Sequence, residues 1–399
     1  MSVDHARDHS SHGKRRNAIV ATLWITYALF YLGRVNLSVV LPALAADLNV
    51  SLAEAGALGT VYFWVYGISH FFSGQAGSQI SPFRLVSFGL LGIALVNIAF
   101  AFQTSLLVML LLWGINGVAQ SAGWAPMFRI LAERFDRTQI KRISTIMPFS
   151  YVFGTALTWT FIGVVAGGGD WRVAFWLPGL LLLLVLAFWR RAGIDAPKSQ
   201  PSRIRPRVIL AEARGIAFAL LTAALAGFVF NGTIIWLPTY ILDTGLIEGR
   251  LVGFVAAAMQ VMAIGGLFLA RFRVVRSNQV FATAALMLAA AGGALLLLTV
   301  TGGALALLVV VLALVMLNGA FGLTVSSMPL LLAPPGRAAS VTGKINMMSN
   351  FWGGMAGFSI GALVDASGWS AVFGLWGAVL LLAAAIIWRK RAEENRWAE

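Results

Sequence analysis

The sequence predicts an all-α integral membrane protein, with twelve transmembrane helices in two pseudo-twofold-related six-helix bundles. Three observations carry that prediction. Of 399 residues, 59% are hydrophobic and 11% charged, whereas a soluble chain would be about a quarter charged. Twelve apolar segments follow one another, each long enough to cross a hydrocarbon core that needs roughly 20 residues. Short patterns also recur at a near-constant offset, which marks a duplicated unit.

The segments fall at about 18–43, 53–76, 84–103, 105–130, 143–166, 171–190, 215–242, 250–271, 279–300, 303–332, 339–364 and 369–388. An even count puts both termini on one face, and the basic residues say which. Of 29 Lys and Arg, 25 lie on the face of the termini, while Arg172 and Arg250 lie on the other and Arg34 and Lys344 fall within spans. The positive-inside rule makes that face cytoplasmic. The net charge of +14 is therefore topological, and no nucleic-acid partner is expected. Residues 192–213 are polar, basic and Pro-rich, as a linker between two bundles would be. The organisation that follows is a cytoplasmic tail 1–16, a bundle 17–191, the linker 192–213, a bundle 214–391 and a cytoplasmic tail 392–399.

The halves repeat each other. Trp171 with Phe175 opens the sixth span as Trp369 with Phe373 opens the twelfth. Asn116-Gly117 in the fourth span returns as Asn318-Gly319 in the tenth, and Leu41-Pro42 in the first as Leu237-Pro238 in the seventh. A parallel repeat of this kind implies a site between the halves near the midplane.

Arg34 stands inside the first apolar run, too far from either end to snorkel. A guanidinium at that depth costs at least ~2.5–3.5 kcal/mol and nearly always faces a bundle interior or wet cavity. No Asp or Glu lies deep in any span, so the missing anion is expected to come from outside. The planar fork of Arg34 suits carboxylate or phosphate. Tyr31 lies one turn earlier on the same face. Tyr62, Tyr66 and His70 form a stripe at helical spacing in the second span, read either as binding groups or as helix packing. His70 is the core group that titrates near neutral pH; it either carries charge beside a bound anion or is a neutral packed histidine. In the fourth span Asn116, Gln120 and Trp124 repeat at spacing four, to hold substrate hydroxyls or to link helices.

Several stretches carry a finer resemblance. Tyr31-Leu32-Gly33-Arg34-Val35-Asn36 resembles the first-span motif of the organophosphate:phosphate antiporters and of the related anion:cation symporters, both branches of the major facilitator superfamily. Tyr66-Gly67-Ile68-Ser69-His70 is similar to the antiporters' second-span motif, with His70 where a lysine is usual. Gln120-Ser121-Ala122-Gly123-Trp124-Ala125-Pro126 resembles their fourth-span motif, and Trp236-Leu237-Pro238-Thr239-Tyr240 the end of their seventh span. Gly74-Gln75-Ala76-Gly77-Ser78-Gln79 is a degraded form of the superfamily's loop motif.

The resemblance implies an apex site in which one arginine per half grips a phosphate. Arg34 keeps the first arginine; the second falls on Phe230, the basic residue after the first is Val35, and a fifth-span histidine position falls on Tyr151. A monoanionic or weakly charged ligand with an apolar body fits these changes better than a doubly charged organophosphate. Lys344 either snorkels to the surface or replaces the missing arginine. Asn346 and Asn350 form a polar face beside it, Met347, Met348 and Phe351 an apolar wall, and Phe230 and Asn231 complete the set.

The expected function is secondary active or facilitated transport of a small organic anion by rocking of the two bundles, with no cofactor, metal or catalytic residue. The chain is expected to act as a monomer in the lipid bilayer of a bacterial inner membrane. Three other readings stand beside it: a transporter-like metabolite sensor, an exporter of an amphiphilic compound, and a proton-coupled symporter using His70.

Overall fold

The computed structural model describes residues 2–76, 80–136, 139–140, 143, 146–147, 149–167, 169–195, 216–333 and 338–394, with side chains throughout these except at 2–15, 71–76, 338–340 and 393. Most of the expected linker, from 196 on, and residues 77–79 of the loop motif lie outside the described residues.

Helix α1 (Ser2–Phe30) and α2 (Asn36–Leu48) form the first span, separated by a short turn. Then come α3 (Leu52–Ala76), α4 (Pro82–Ala101), α5 (Leu106–Ser121), α6 (Trp124–Arg134), α7 (Phe149–Ala166) and α8 (Val173–Ala192). The second half runs α9 (Ala217–Asp243), α10 (Gly249–Met262), α11 (Ile264–Ser277), α12 (Val280–Leu297), α13 (Gly303–Gly322), α14 (Met328–Leu332) and α15 (Ala338–Lys390). Among the described residues ten helical stretches are long and apolar enough to span a bilayer. The longest, Val341–Lys390, holds two spans, because Gly368 breaks it with φ of 73°. With α3 the twelve expected spans are all present.

Four spans differ from the uninterrupted helices expected, among them the eighth, which breaks at Ala263 between α10 and α11. The first breaks at 31–35 and the fourth at Ala122-Gly123. The tenth carries a π-helical turn, Leu323–Ser327, between α13 and α14. Opposite the tenth-span turn in the repeat stands the fourth-span break, so both halves interrupt this helix at the same level.

The duplication is visible in bonds as well as in sequence. Trp171 Nε1 donates to Asp47 at 3.2 Å, and Trp369 Nε1 donates to Asp243 at 2.9 Å. At the opposite end, Asp195 accepts the backbone N–H of Phe83 at the start of α4. Glu394 accepts those of Val280 and Phe281 at the start of α12. A carboxylate at a helix N-terminus satisfies orphan donors and complements the dipole.

The halves meet most closely at the end away from the basic loops. A Cβ on Gly56 would run into the carbonyl of Gly357, and one on Gly253 into the carbonyl of Trp159. Glycine is required at both places for the backbones to touch. The Ala53 N–H donates to Asp365 at 3.0 Å, and the Phe358 N–H to Thr60 Oγ1 at 2.9 Å, each across the halves. That end is closed.

Candidate functional site

Arg34 sits in the break of the first span. The N–H groups of Arg34 and Val35 both turn back to Tyr31 O, at 3.0 and 3.2 Å, so the carbonyls of Phe30 and Gly33 lose their helical donors. In a membrane such groups must be satisfied from within the protein. Gln120 Nε2 donates to Phe30 O at 3.0 Å, and Asn116 Nδ2 to Gly33 O at 2.7 Å. Asn36 Nδ2 donates to Asn97 Oδ1 at 2.9 Å and to Ala174 O at 2.8 Å, tying α2 to α4 and α8. Trp159 Nε1 donates to Ser38 Oγ at 2.8 Å. Gly33 lets α4 approach, since a Cβ there would meet Ile93 and Asn97. For Asn116 and Gln120 this is the helix-linking alternative of the sequence reading; the parts of Asn36 and Asn97 were not read from the sequence. The signal for this brace was present as amides at mid-span in the first, third and fourth segments.

The guanidinium makes one hydrogen bond, from Nη1 to the Tyr31 hydroxyl at 3.4 Å. Around it stand the rings of Tyr66, Tyr31, Tyr62 and Phe63, with centroids 4.6, 5.0, 5.6 and 5.9 Å from Cζ. Ring faces attract a cation but do not neutralise it. Among the described residues no carboxylate pairs with Arg34. Arg34 borders a small cavity whose wall includes Ser38, Gly59, Tyr62 and Trp113 from the first half and Ile234 and Ile235 from the second. The unpaired cation thus faces the space between the halves.

The expected site residues divide around it. Tyr31, Tyr62 and Tyr66 surround Arg34. Tyr62 and Tyr66 stack at 5.8 Å, and the His70 ring continues the stack at 5.4 Å from Tyr66, one turn further from the cavity. Tyr151 lies 6.3 Å from Tyr31 and donates across the halves to Asn318 Oδ1 at 3.4 Å. Phe230 is buried, one turn from the cavity residue Ile234, and stacks face to face on Phe321 at 3.9 Å.

Other expectations are corrected. The donor of Gln120 is committed to the broken backbone rather than offered to a ligand. Trp124 does not share a helical face with it, because the break at 122–123 intervenes; its ring packs on Tyr27 and Phe128 at 4.7 and 4.3 Å. Asn231 donates to Gly227 O and Ser349 O, holding α9 against α15. Asn346 and Asn350 donate within their own helix, to Thr342 O and Asn346 O. Phe351 stacks on Trp64 at 5.5 Å and is 41% exposed, so it lies outside the cavity wall. Lys344 is 6% exposed and does not snorkel, nor does it border the Arg34 cavity. No described group of three or more His, Cys, Asp or Glu could hold a metal ion.

Two halves of six spans each thus pack around the cavity that Arg34 borders. The sequence pattern of the Major Facilitator Superfamily matches residues 23–358, and the chain belongs to that superfamily. It is 31% identical over 168 residues to a probable hexose phosphate transport protein of Chlamydia pneumoniae, covering 42% of this chain and 37% of the relative. It is also 31% identical over 177 residues to the membrane sensor protein UhpC of Salmonella typhimurium, covering 44% of this chain and 40% of the relative. The chain thus spans about two fifths of the length of these two relatives. They lie in the organophosphate branch that the motifs resemble. Among solved structures, a peptide transporter in complex with sulfate superposes with TM-score 0.79 at 14% identity, covering 95% of each chain. That likeness carries the fold alone.

Proposed function

We propose that the chain is a secondary transporter of a small organic anion, a carboxylate or phosphorylated metabolite, in which Arg34 is the main anion-binding residue. The observation that carries this reading is the guanidinium that borders an inter-half cavity without a carboxylate partner. A bound anion supplies the missing charge and bridges Arg34 to the opposite half. The glycine-packed end then opens as the other end closes, which is alternating access by rocking. The Lys and Arg distribution supports a cytoplasmic basic face and cytoplasmic termini, and the bacterial relatives support a bacterial inner membrane.

Proteoliposomes loaded with an unlabelled anion should exchange it for the labelled one, and Arg34→Ala should abolish the exchange. Undiminished exchange in that variant sinks the site. A second reading, a metabolite sensor, is favoured by the likeness to a membrane sensor protein. Binding of the anion without measurable flux in the same vesicles would select it.

A further inference from the structure

We infer that the anion bound at Arg34 is a monocarboxylate with a flat, hydroxyl-poor body, and that phosphate esters of sugars are disfavoured. This rests on the anion-site reading above and narrows it.

The argument begins with charge. Among the described residues Arg34 is the charged one that borders the cavity, and the position 196 residues on, in the second half, is Phe230, buried and stacked on Phe321. A phosphate monoester carries close to two negative charges at neutral pH. One guanidinium answers one of them, and the surplus would be left in a low-dielectric space with no partner. A carboxylate carries a single charge and matches the guanidinium fork with two parallel hydrogen bonds.

The walls give the rest. Val35, Leu37, Phe63, Trp113, Ile234 and Ile235 present carbon to the cavity. Ser38 is already occupied, since its hydroxyl donates to Val35 O at 2.7 Å and accepts from Trp159 Nε1 at 2.8 Å. The one polar group left over is the Tyr62 hydroxyl, 2% exposed and without a hydrogen-bond partner among the described residues. Tyr62 borders the same cavity as Arg34, its ring 5.6 Å from the guanidinium carbon, and its unbonded hydroxyl is the donor assigned to the carboxylate that the guanidinium holds. A hexose ring brought into this space would leave several hydroxyls unbonded, and unpaired buried polar groups are what specificity pockets reject most strongly. A planar unsaturated or aromatic body instead meets branched aliphatic and aromatic walls at the expense of no hydrogen bond.

The test uses the full-length purified protein in detergent, with binding read by thermal shift and by calorimetry at pH 7.4. The probes are benzoate, acetate, glucose 6-phosphate and glycerol 3-phosphate. Benzoate should bind at least tenfold more tightly than either phosphate ester, and more tightly than acetate, which has the charge without the body. Tyr62→Phe should weaken benzoate severalfold while leaving the apparent melting temperature without ligand unchanged, because that hydroxyl makes no bond in the unliganded protein. Phe230→Arg should shift preference towards the phosphate esters by restoring a second charge. A wild-type protein that prefers a phosphate ester overturns the inference and leaves Arg34 as an anion site. So does failure of all four probes to bind. Benzoate bound equally by Arg34→Ala and wild type overturns the anion site itself.

Discussion

The first span of one half and the first span of the other occupy equivalent places and are built on opposite plans. The segment around Arg34 is broken, with its freed carbonyls held by Asn116 and Gln120 from the neighbouring helix. The segment around Phe230 belongs to an uninterrupted helix of 27 residues, α9. Gly33 stands where the second half has Val229, and Arg34 where it has Phe230, each pair 196 residues apart. The charge and the break arrive together. A backbone opened in the membrane needs amides to close it, and the first half supplies them in α4 and α5; the second half keeps its Asn318 free of that duty. There Asn318 Nδ2 bonds within its own helix to Leu314 O, and its Oδ1 receives Tyr151 from across the cavity.

The sharpest way to break this comparison is at Gly33. Gly33→Leu drives a side chain into Ile93 and Asn97 and should cost more than 3 kcal/mol, the sum of overpacking at about 1–3 kcal/mol and a disrupted amide network. Val229→Ala, its counterpart, removes two buried methyl carbons and should cost about 1–3 kcal/mol. Thermal unfolding of the two purified variants measures both. Equal losses would mean that the break needs no close approach of α4.

This asymmetry marks the boundary of what the sequence could say. Composition, segment length and repeat offsets depend on periodicity and charge, so twelve spans, two halves and the basic face were all readable. Arg34 was readable because a lone cation in hydrocarbon has few explanations. The roles of Gln120 and Asn231 were not, because a mid-span amide reads the same whether it serves a ligand or a stranded carbonyl. For Gln120 the break at 31–35 decides between them, and a helix break without proline leaves little trace in apolar periodicity; for Asn231 the packing of α9 on α15 decides. Phe351 failed for a related reason: spacing along a helix names a face but not which neighbour that face meets.

A smaller effect separates the paired asparagines. Asn116→Leu leaves the Gly33 carbonyl with only the 3.4 Å contact to Asn97 Nδ2, and should destabilise by about 1–3 kcal/mol. Asn318→Leu loses a same-helix bond and one cross-half contact, and should cost about 0.6 kcal/mol. Transport should order them differently. Asn318→Leu and Tyr151→Phe should each change exchange rate severalfold at unchanged affinity, and the double variant should be no worse than either single one. Additive losses in the double variant would mean that the two side chains act separately and that no bond couples the halves.

The smallest contrast lies at the outer rim, where Asp47 and Asp243 each accept a tryptophan N–H. Asp47 also meets Arg172 Nη1 at 3.0 Å, whereas Ser370 takes the place after Trp369 and donates to Thr299 O. An Asn in either position keeps an acceptor for the indole, so Asp243→Asn should shift stability by less than about 0.5 kcal/mol. Asp47→Asn loses an ion pair as well. With the Asp47 side chain 44% exposed, solvent screening holds that loss to roughly 0–1 kcal/mol. Salt discriminates the two better than magnitude does. Raising ionic strength from 0.05 to about 1 M, which shortens the screening length to about 3 Å, should erase the Asp47→Asn difference and leave Asp243→Asn where it was. A salt-insensitive loss at Asp47 would assign its effect to the indole bond alone, and the two rims would then be equivalent in energy as well as in outline.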